Sequence, residues 1–264
     1  MRGINRDDFY KIFKNQSHVE KLKEIPQKFN AVHDEEIKTS EITIYGVIGA
    51  SWWNESFSAN DIDEAIKAAG TNDIIINLNS PGGDAFDGIA IFNRLKRHEG
   101  KVTIHVDGWA CSAASVIAMA ADELIMELGS MFMYHEASNI VWGTKTEMRK
   151  EADILEELEE GIIDIYMTKT NLSREEVRAN LDAETWISAK KAVEHGFADK
   201  AAGGTDEDPV EPINTIENKQ QIMNELKNIL KPNNQIQEPD PPSSTTSTVE
   251  DNGNGSFNLL KKWR

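Results

Sequence analysis

Ser112 stands where a strand-and-turn segment, Gly108-Trp-Ala-Cys, gives way to a small-residue apolar helix opening Ala113-Ala114-Ser115. A serine in the first turn of a helix lies beside unpaired backbone N–H groups and the positive end of the helix dipole, and both favour negative charge. Negative charge is what an acyl-transfer nucleophile and its oxyanion create. The plain alternative is a capping serine. His135 ends the apolar run Met131-Phe-Met-Tyr134, which places it at a strand end facing a cleft. An unperturbed imidazole titrates near neutrality and can take a proton from serine. The other histidines have weaker settings: His18 and His33 in a polar leader, His98 in a charged turn, His105 inside a strand, His195 beside a helix-ending glycine.

A serine–imidazole pair needs a third group to orient the ring and stabilise its cation. Glu184 and Asp182, in the turn Leu181-Asp-Ala-Glu-Thr-Trp186, are both candidates. Asn79-Ser-Pro-Gly-Gly83 closes another apolar run, and its glycines let backbone N–H groups approach a ligand because no Cβ intervenes. Such a turn can form half of an oxyanion hole, cradle a phosphate or reverse the chain. Asp84 stands where a phosphate loop carries Gly-Lys-Ser/Thr, and its charge would repel phosphate. Cys111 is a thiol alternative to Ser112, but a reactive thiolate needs an activating environment.

The elements that must position these groups follow from periodicity. Ile42, Ile44 and Val47 with Ile48 read as a strand, and 59–69 as a helix ending at Gly70. Asp73 to Asn79 is a β-branched run with little polar alternation, suited to a strand covered on both faces. A helix over 85–97, a strand over 101–106, a turn at Asp107-Gly-Trp109 and a helix over 112–121 repeat the unit. Short strands at 124–126 and 131–134 follow. Alternation of this kind gives βαβ units and a mainly parallel sheet. Lys145 to Lys169 forms a long helix with an acidic outer face, Ser173-Arg-Glu-Glu176 is a capping box, and Trp186 to Gly196 reads as a last helix with Ser188 as N-cap. The chain divides into a polar leader over 1–34, carrying a short amphipathic stretch at Phe9 to Phe13, an α/β domain over 35–203, and an extension over 204–264. The extension comprises a linker, a short helix and a Pro/Ser/Thr/Asn-rich tail too poor in apolar surface to order itself.

Composition narrows the function. The net charge of −17 argues against nucleic acid as the main partner, since a polyphosphate would be repelled. The longest apolar run, 113–121, is far shorter than the roughly 20 residues of a membrane-spanning helix, and the N-terminus lacks the apolar core of a secretory signal. No membrane association and a cytoplasmic location are therefore expected. A single cysteine rules out an intramolecular disulfide and a cysteine-based zinc site.

Four blocks in order, Asn79-Ser-Pro-Gly-Gly83, Gly108-Trp-Ala-Cys-Ser112-Ala-Ala, Met133-Tyr-His135 and Glu184-Thr-Trp-Ile-Ser-Ala-Lys-Lys-Ala192 leading to Gly196-Phe-Ala-Asp199, resemble the Clp-type serine peptidases. With Ser51-Trp-Trp53 and the Glu-Thr-Trp triplet, the chain looks most similar to the Clp-like head-maturation proteases of tailed bacteriophages. The resemblance covers about residues 40–202. It implies a crotonase-like α/β spiral of βαβ units with a long protruding helix, assembled into homo-oligomeric rings. Mapped onto this sequence, Ser112 is the nucleophile, His135 the general base and Glu184 the third member, where housekeeping relatives carry Asp. Asp182 is the alternative third member, and the backbone N–H groups of Gly83 and Ala113 form the oxyanion hole. No metal and no organic cofactor are implied. Substrates would be proteins or peptides, in the phage branch capsid or scaffold proteins. Two readings stay beside this one: a housekeeping-type Clp subunit working with an ATPase, and a non-catalytic ring-forming assembly protein. An acyl-CoA hydratase or isomerase shares the fold but needs no Ser–His pair.

Overall fold

The computed structural model describes residues 25–49 and 57–203. The amphipathic stretch near Phe9 and the extension beyond Gly203 lie outside these residues. The core is a set of parallel strands, β2 (Thr39–Tyr45), β3 (Asp73–Ser80) and β4 (Val102–Cys111), joined by helices α1 (Ala59–Ala69) and α2 (Ala85–Lys96). Parallel neighbours require such crossovers. Ile42 and Ile44, Ile74, Ile76 and Leu78, and Val102, Ile104 and Val106 point to one side and are fully or almost fully buried. Burying an aliphatic side chain of this kind contributes roughly 1.5–3 kcal/mol. The opposite face of β3, with Ile75, Asn77 and Asn79, is only half-buried, so this strand is not covered on both sides as its composition suggested. Helix α1 opens with a capping box of Ser58 and Asp61 and turns Ile62, Ala65, Ile66 and Ala69 onto the sheet.

Strand β4 is long enough to serve two sets of partners. Its first half pairs with β5 (Glu123–Met126), beyond which lies β8 (Lys200–Ala201). Its second half pairs with β6 (Met131–Tyr134), on which β7 (Thr185–Ser188) lies antiparallel. The sequence suggested a turn at Asp107-Gly-Trp109, whereas the strand runs through to Cys111. Between Leu78 and Ser80 the register on β4 jumps from Val106 to Ala110, so the turn-prone residues are accommodated as a bulge. The Tyr45 hydroxyl donates to Asp107 at 2.5 Å, and the Trp109 N–H donates to Asn79 Oδ1 at 3.1 Å. Gly108 has no Cβ to obstruct that contact; one placed there would lie 2.8 Å from the same oxygen.

Three further boundaries differ from the expectation. Lys28–Asp34, assigned to the leader, is strand β1, antiparallel to β2 at the sheet edge. Its half-buried positions Phe29, Ala31 and His33 alternate with exposed ones, a weak pattern typical of an edge strand. Strand β2 ends at Tyr45, and Ile48 instead forms isolated bridges to Phe57 and Gly83. Thr185–Ser188 is a strand, and the last helix, α6, covers only Ala189–Glu194, with Ser188 as its cap. Helices α3 (Ala113–Ala118), α4 (Lys145–Tyr166) and α5 (Arg174–Asp182) complete the unit. The C-terminal part of α4 is buried through Ile162, Ile163, Ile165 and Tyr166, while most of its N-terminal half is exposed.

Candidate active site

Strand β4 delivers Ser112 to the start of α3 with φ 54 and ψ −124, a combination that turns usually give to glycine. The backbone is held there from both sides: the Ser112 N–H donates to Met133 O at 2.9 Å, and its carbonyl accepts from the Ser115 N–H at 2.9 Å. The side chain makes no capping bond to the helix, so the capping alternative does not describe it. Instead Ser112 Oγ lies 2.9 Å from His135 Nε2.

His135 follows the last residue of β6. In the β6–β7 ladder Tyr134 and Thr185 form the last pair, and His135 and Glu184 are the residues directly beyond it on either side. Glu184 is buried and holds φ 54, while Asp182, the last residue of α5, is exposed. The Trp186 indole N–H donates to Glu184 Oε1 at 3.1 Å, and its ring packs edge-on against Trp109 with centroids 5.6 Å apart. A carboxylate fixed in this way suits orientation of an imidazole better than a solvated one.

The glycine turn packs directly on the serine. Gly82 (φ 92) donates its N–H to Ser80 Oγ at 3.0 Å, and Gly83 (φ 152) lies against Ile48, whose carbonyl accepts from the Asp84 N–H at 2.9 Å. A Cβ on Gly82 would stand 3.0 Å from the Ala113 nitrogen. Among the described residues, the N–H groups of Gly83 and Ala113 reach no backbone carbonyl. Gly83, Ser112, Ala113 and His135 line one cleft of about 160 Å³. Its wall is apolar where Val116, Leu158 and Ile162 face it, and acidic at Asp84, Glu136 and Glu151.

Cys111 is fully buried, and burial first, then the charge of Glu184, pushes its thiol well above the ordinary range. Such a setting disfavours the thiolate that a cysteine nucleophile needs. Among the described residues no group of three or more His, Cys, Asp or Glu side chains is placed to hold a metal ion, and no helix is long and apolar enough to cross a membrane. Local sequence missed the contact of Gly82 with the serine and the buried hydroxyls of Ser115 and Tyr166 behind it. A pair of glycines was the only available signal for the first, and the second had none.

A serine hydroxyl bonded to an imidazole at the edge of this cleft, on a spiral of βαβ units, has the form of a hydrolase-like site. Residues 55–204 match the Clp protease family, and the chain belongs to that family. It is 28% identical over 184 residues to the ATP-dependent Clp protease proteolytic subunit 2 of Treponema denticola, covering 67% of this chain and 91% of the relative. To proteolytic subunit 1 of Protochlamydia amoebophila it is 29% identical over 138 residues, 51% of this chain and 67% of the relative. A solved single-substitution mutant of ClpP1 from Listeria monocytogenes shares the crotonase-like fold with a TM-score of 0.55 and 23% identity, over 65% of this chain and 94% of that one.

Proposed function

We propose that the chain is a serine endopeptidase that cleaves peptide bonds through an acyl-enzyme on Ser112. The observation that carries this reading is the 2.9 Å contact between Ser112 Oγ and His135 Nε2. For Nε2 to accept the hydroxyl proton, the ring must carry its other proton on Nδ1, where Glu184 would orient it. Oγ attacks the substrate carbonyl as its proton passes to Nε2. The resulting oxyanion lies between the N–H groups of Gly83 and Ala113. Collapse breaks the C–N bond, and the imidazolium gives its proton to the leaving amine. Water then repeats the sequence on the ester, with His135 again the base, and frees the acid product and Ser112. A fluorophosphonate probe tests this: labelling at Ser112, abolished in His135→Ala, is expected, and no labelling of a folded oligomer would favour a non-catalytic assembly protein.

The finer reading is processing of capsid or scaffold proteins during phage head maturation, in a homo-oligomeric ring within the host cytoplasm. Its support is in the sequence, from Ser51-Trp-Trp53 and from Glu184 where housekeeping members carry Asp. The exposed N-terminal half of α4, with Ile140 and a fully exposed Trp142 before it, supports subunit contacts. The names of the relatives favour a second reading, a proteolytic subunit serving an ATPase partner. Co-expression with capsid and scaffold proteins, followed by intact mass measurement, separates them: defined cleavage products support maturation, whereas degradation that needs an added ATPase supports the second.

A further inference from the structure

Behind the serine lies a chain of buried hydroxyls that the reaction scheme does not use. Ser115 Oγ is 2.5 Å from the Ser112 carbonyl oxygen and 2.7 Å from the Tyr166 hydroxyl. A carbonyl only accepts, so the Ser115 hydroxyl donates to it, and Tyr166 must in turn donate to Ser115. Both residues are buried, and Tyr166 is the last residue of α4. The carbonyl of Ser112 and the N–H of Ala113 belong to one planar peptide unit and point in opposite directions. Whatever holds that carbonyl also aims the Ala113 N–H.

We propose that Ser115 and Tyr166 are positioning residues, which clamp the Ser112 carbonyl and so point the Ala113 N–H at the oxyanion. The proposal rests on the serine-peptidase reading and adds to it a physical link from α4 to the oxyanion hole. Two backbone donors already bond the same carbonyl, the Ser115 N–H at 2.9 Å and the Val116 N–H at 3.3 Å. The hydroxyl supplies a third donor and, at 2.5 Å, the shortest of the three contacts, so it tightens the hold on the peptide plane. The plane needs this because it belongs to a non-glycine residue with φ 54. Tyr166 makes the arrangement directional: its donation occupies the acceptor side of Ser115 and leaves the Ser115 proton only the carbonyl to serve.

The test uses the full chain, with p-nitrophenyl acetate hydrolysis for kcat and KM and fluorophosphonate labelling for the reactivity of Ser112. Loss of a whole oxyanion donor costs about 10²- to 10³-fold in kcat, so a misaimed one is expected to cost on the order of tenfold. Ser115→Ala should lower kcat and the labelling rate by that factor, with KM within about twofold and the midpoint of the pH–rate profile unmoved, because the base is untouched. Tyr166→Phe should lose less. The double variant should match Ser115→Ala alone, since the tyrosine acts only through the serine. If Ser115→Ala does not fold, Ser115→Cys keeps the size with a weak donor and should show the same loss. A wild-type kcat in a folded Ser115 variant, or losses that multiply in the double variant, would overturn the proposal. Wild-type protein that fails to label at all would instead bring down the peptidase reading beneath it.

Discussion

A methyl group in place of the Gly82 α-hydrogen would put its carbon 2.6 Å from Ser112 Cβ and 2.6 Å from the Cys111 carbonyl oxygen. The second contact is with backbone, which cannot swing aside. Gly82 also holds φ 92, so alanine there suffers strain as well as collision. Gly82→Ala is expected to lose about 2–4 kcal/mol of stability and more than 100-fold in Ser112 labelling. Urea unfolding and fluorophosphonate kinetics on the same sample check both. Retained labelling would mean that the turn does not shape the site.

Burial and the bond from Trp186 distinguish Glu184 from the exposed Asp182. Glu184→Ala is expected to lower kcat by about 10⁴-fold, the size of loss seen when the orienting acid of such a triad is removed. Asp182→Ala, at an exposed helix end, should cost less than about tenfold. Ester hydrolysis by the two variants decides between them, and the reverse ranking would make Asp182 the third member.

Cys111 should resist chemistry that Ser112 invites. Since burial holds its thiol protonated, iodoacetamide at pH 8 is expected to leave the native chain unmodified and to alkylate it fully after denaturation. Intact mass before and after denaturation reads this directly. Rapid native alkylation would reopen the thiol as a nucleophile.

One carboxylate ties three positions at the far edge of the sheet. Glu123 accepts from Lys101 at 2.5 Å and is also paired with Lys200, and these partners lower its pKa to about 2. A group whose folded pKa is depressed stabilises above its unfolded value and loses that effect as pH falls through the folded one. The stability gap between wild type and Glu123→Gln should therefore be full above roughly pH 5, shrink below about 4.3 and vanish near the folded value. It should also narrow with added salt, as the pair is open to solvent. Unfolding curves taken from pH 7 to pH 2 test the window, and a gap that grows on acidification would contradict it.

The parallel core was legible because its strands and helices alternate in blocks with clear periods, and Ser112 and His135 were legible because each ends such a block. What escaped depended on partners remote in sequence. Asp107-Gly-Trp109 has the composition of a turn, yet ladders on both halves of β4 draw the chain straight and leave only a bulge. Thr185–Ser188 carries apolar residues that suit a helix equally well, and only its pairing with β6 decides for strand. Ser115 sits among alanines and reads as small-residue packing, and no local pattern announces its bond to Tyr166.

The unusual backbone of Ser112 sets the proposed chemistry against the durability of the fold. A serine in that conformation raises the energy of the native state, whereas glycine adopts it without a steric penalty. An inactive Ser112→Gly chain should accordingly melt above an equally inactive Ser112→Ala chain, by about 1 kcal/mol of stability. Selection for a tougher fold alone would thus drift toward losing the Ser112 hydroxyl.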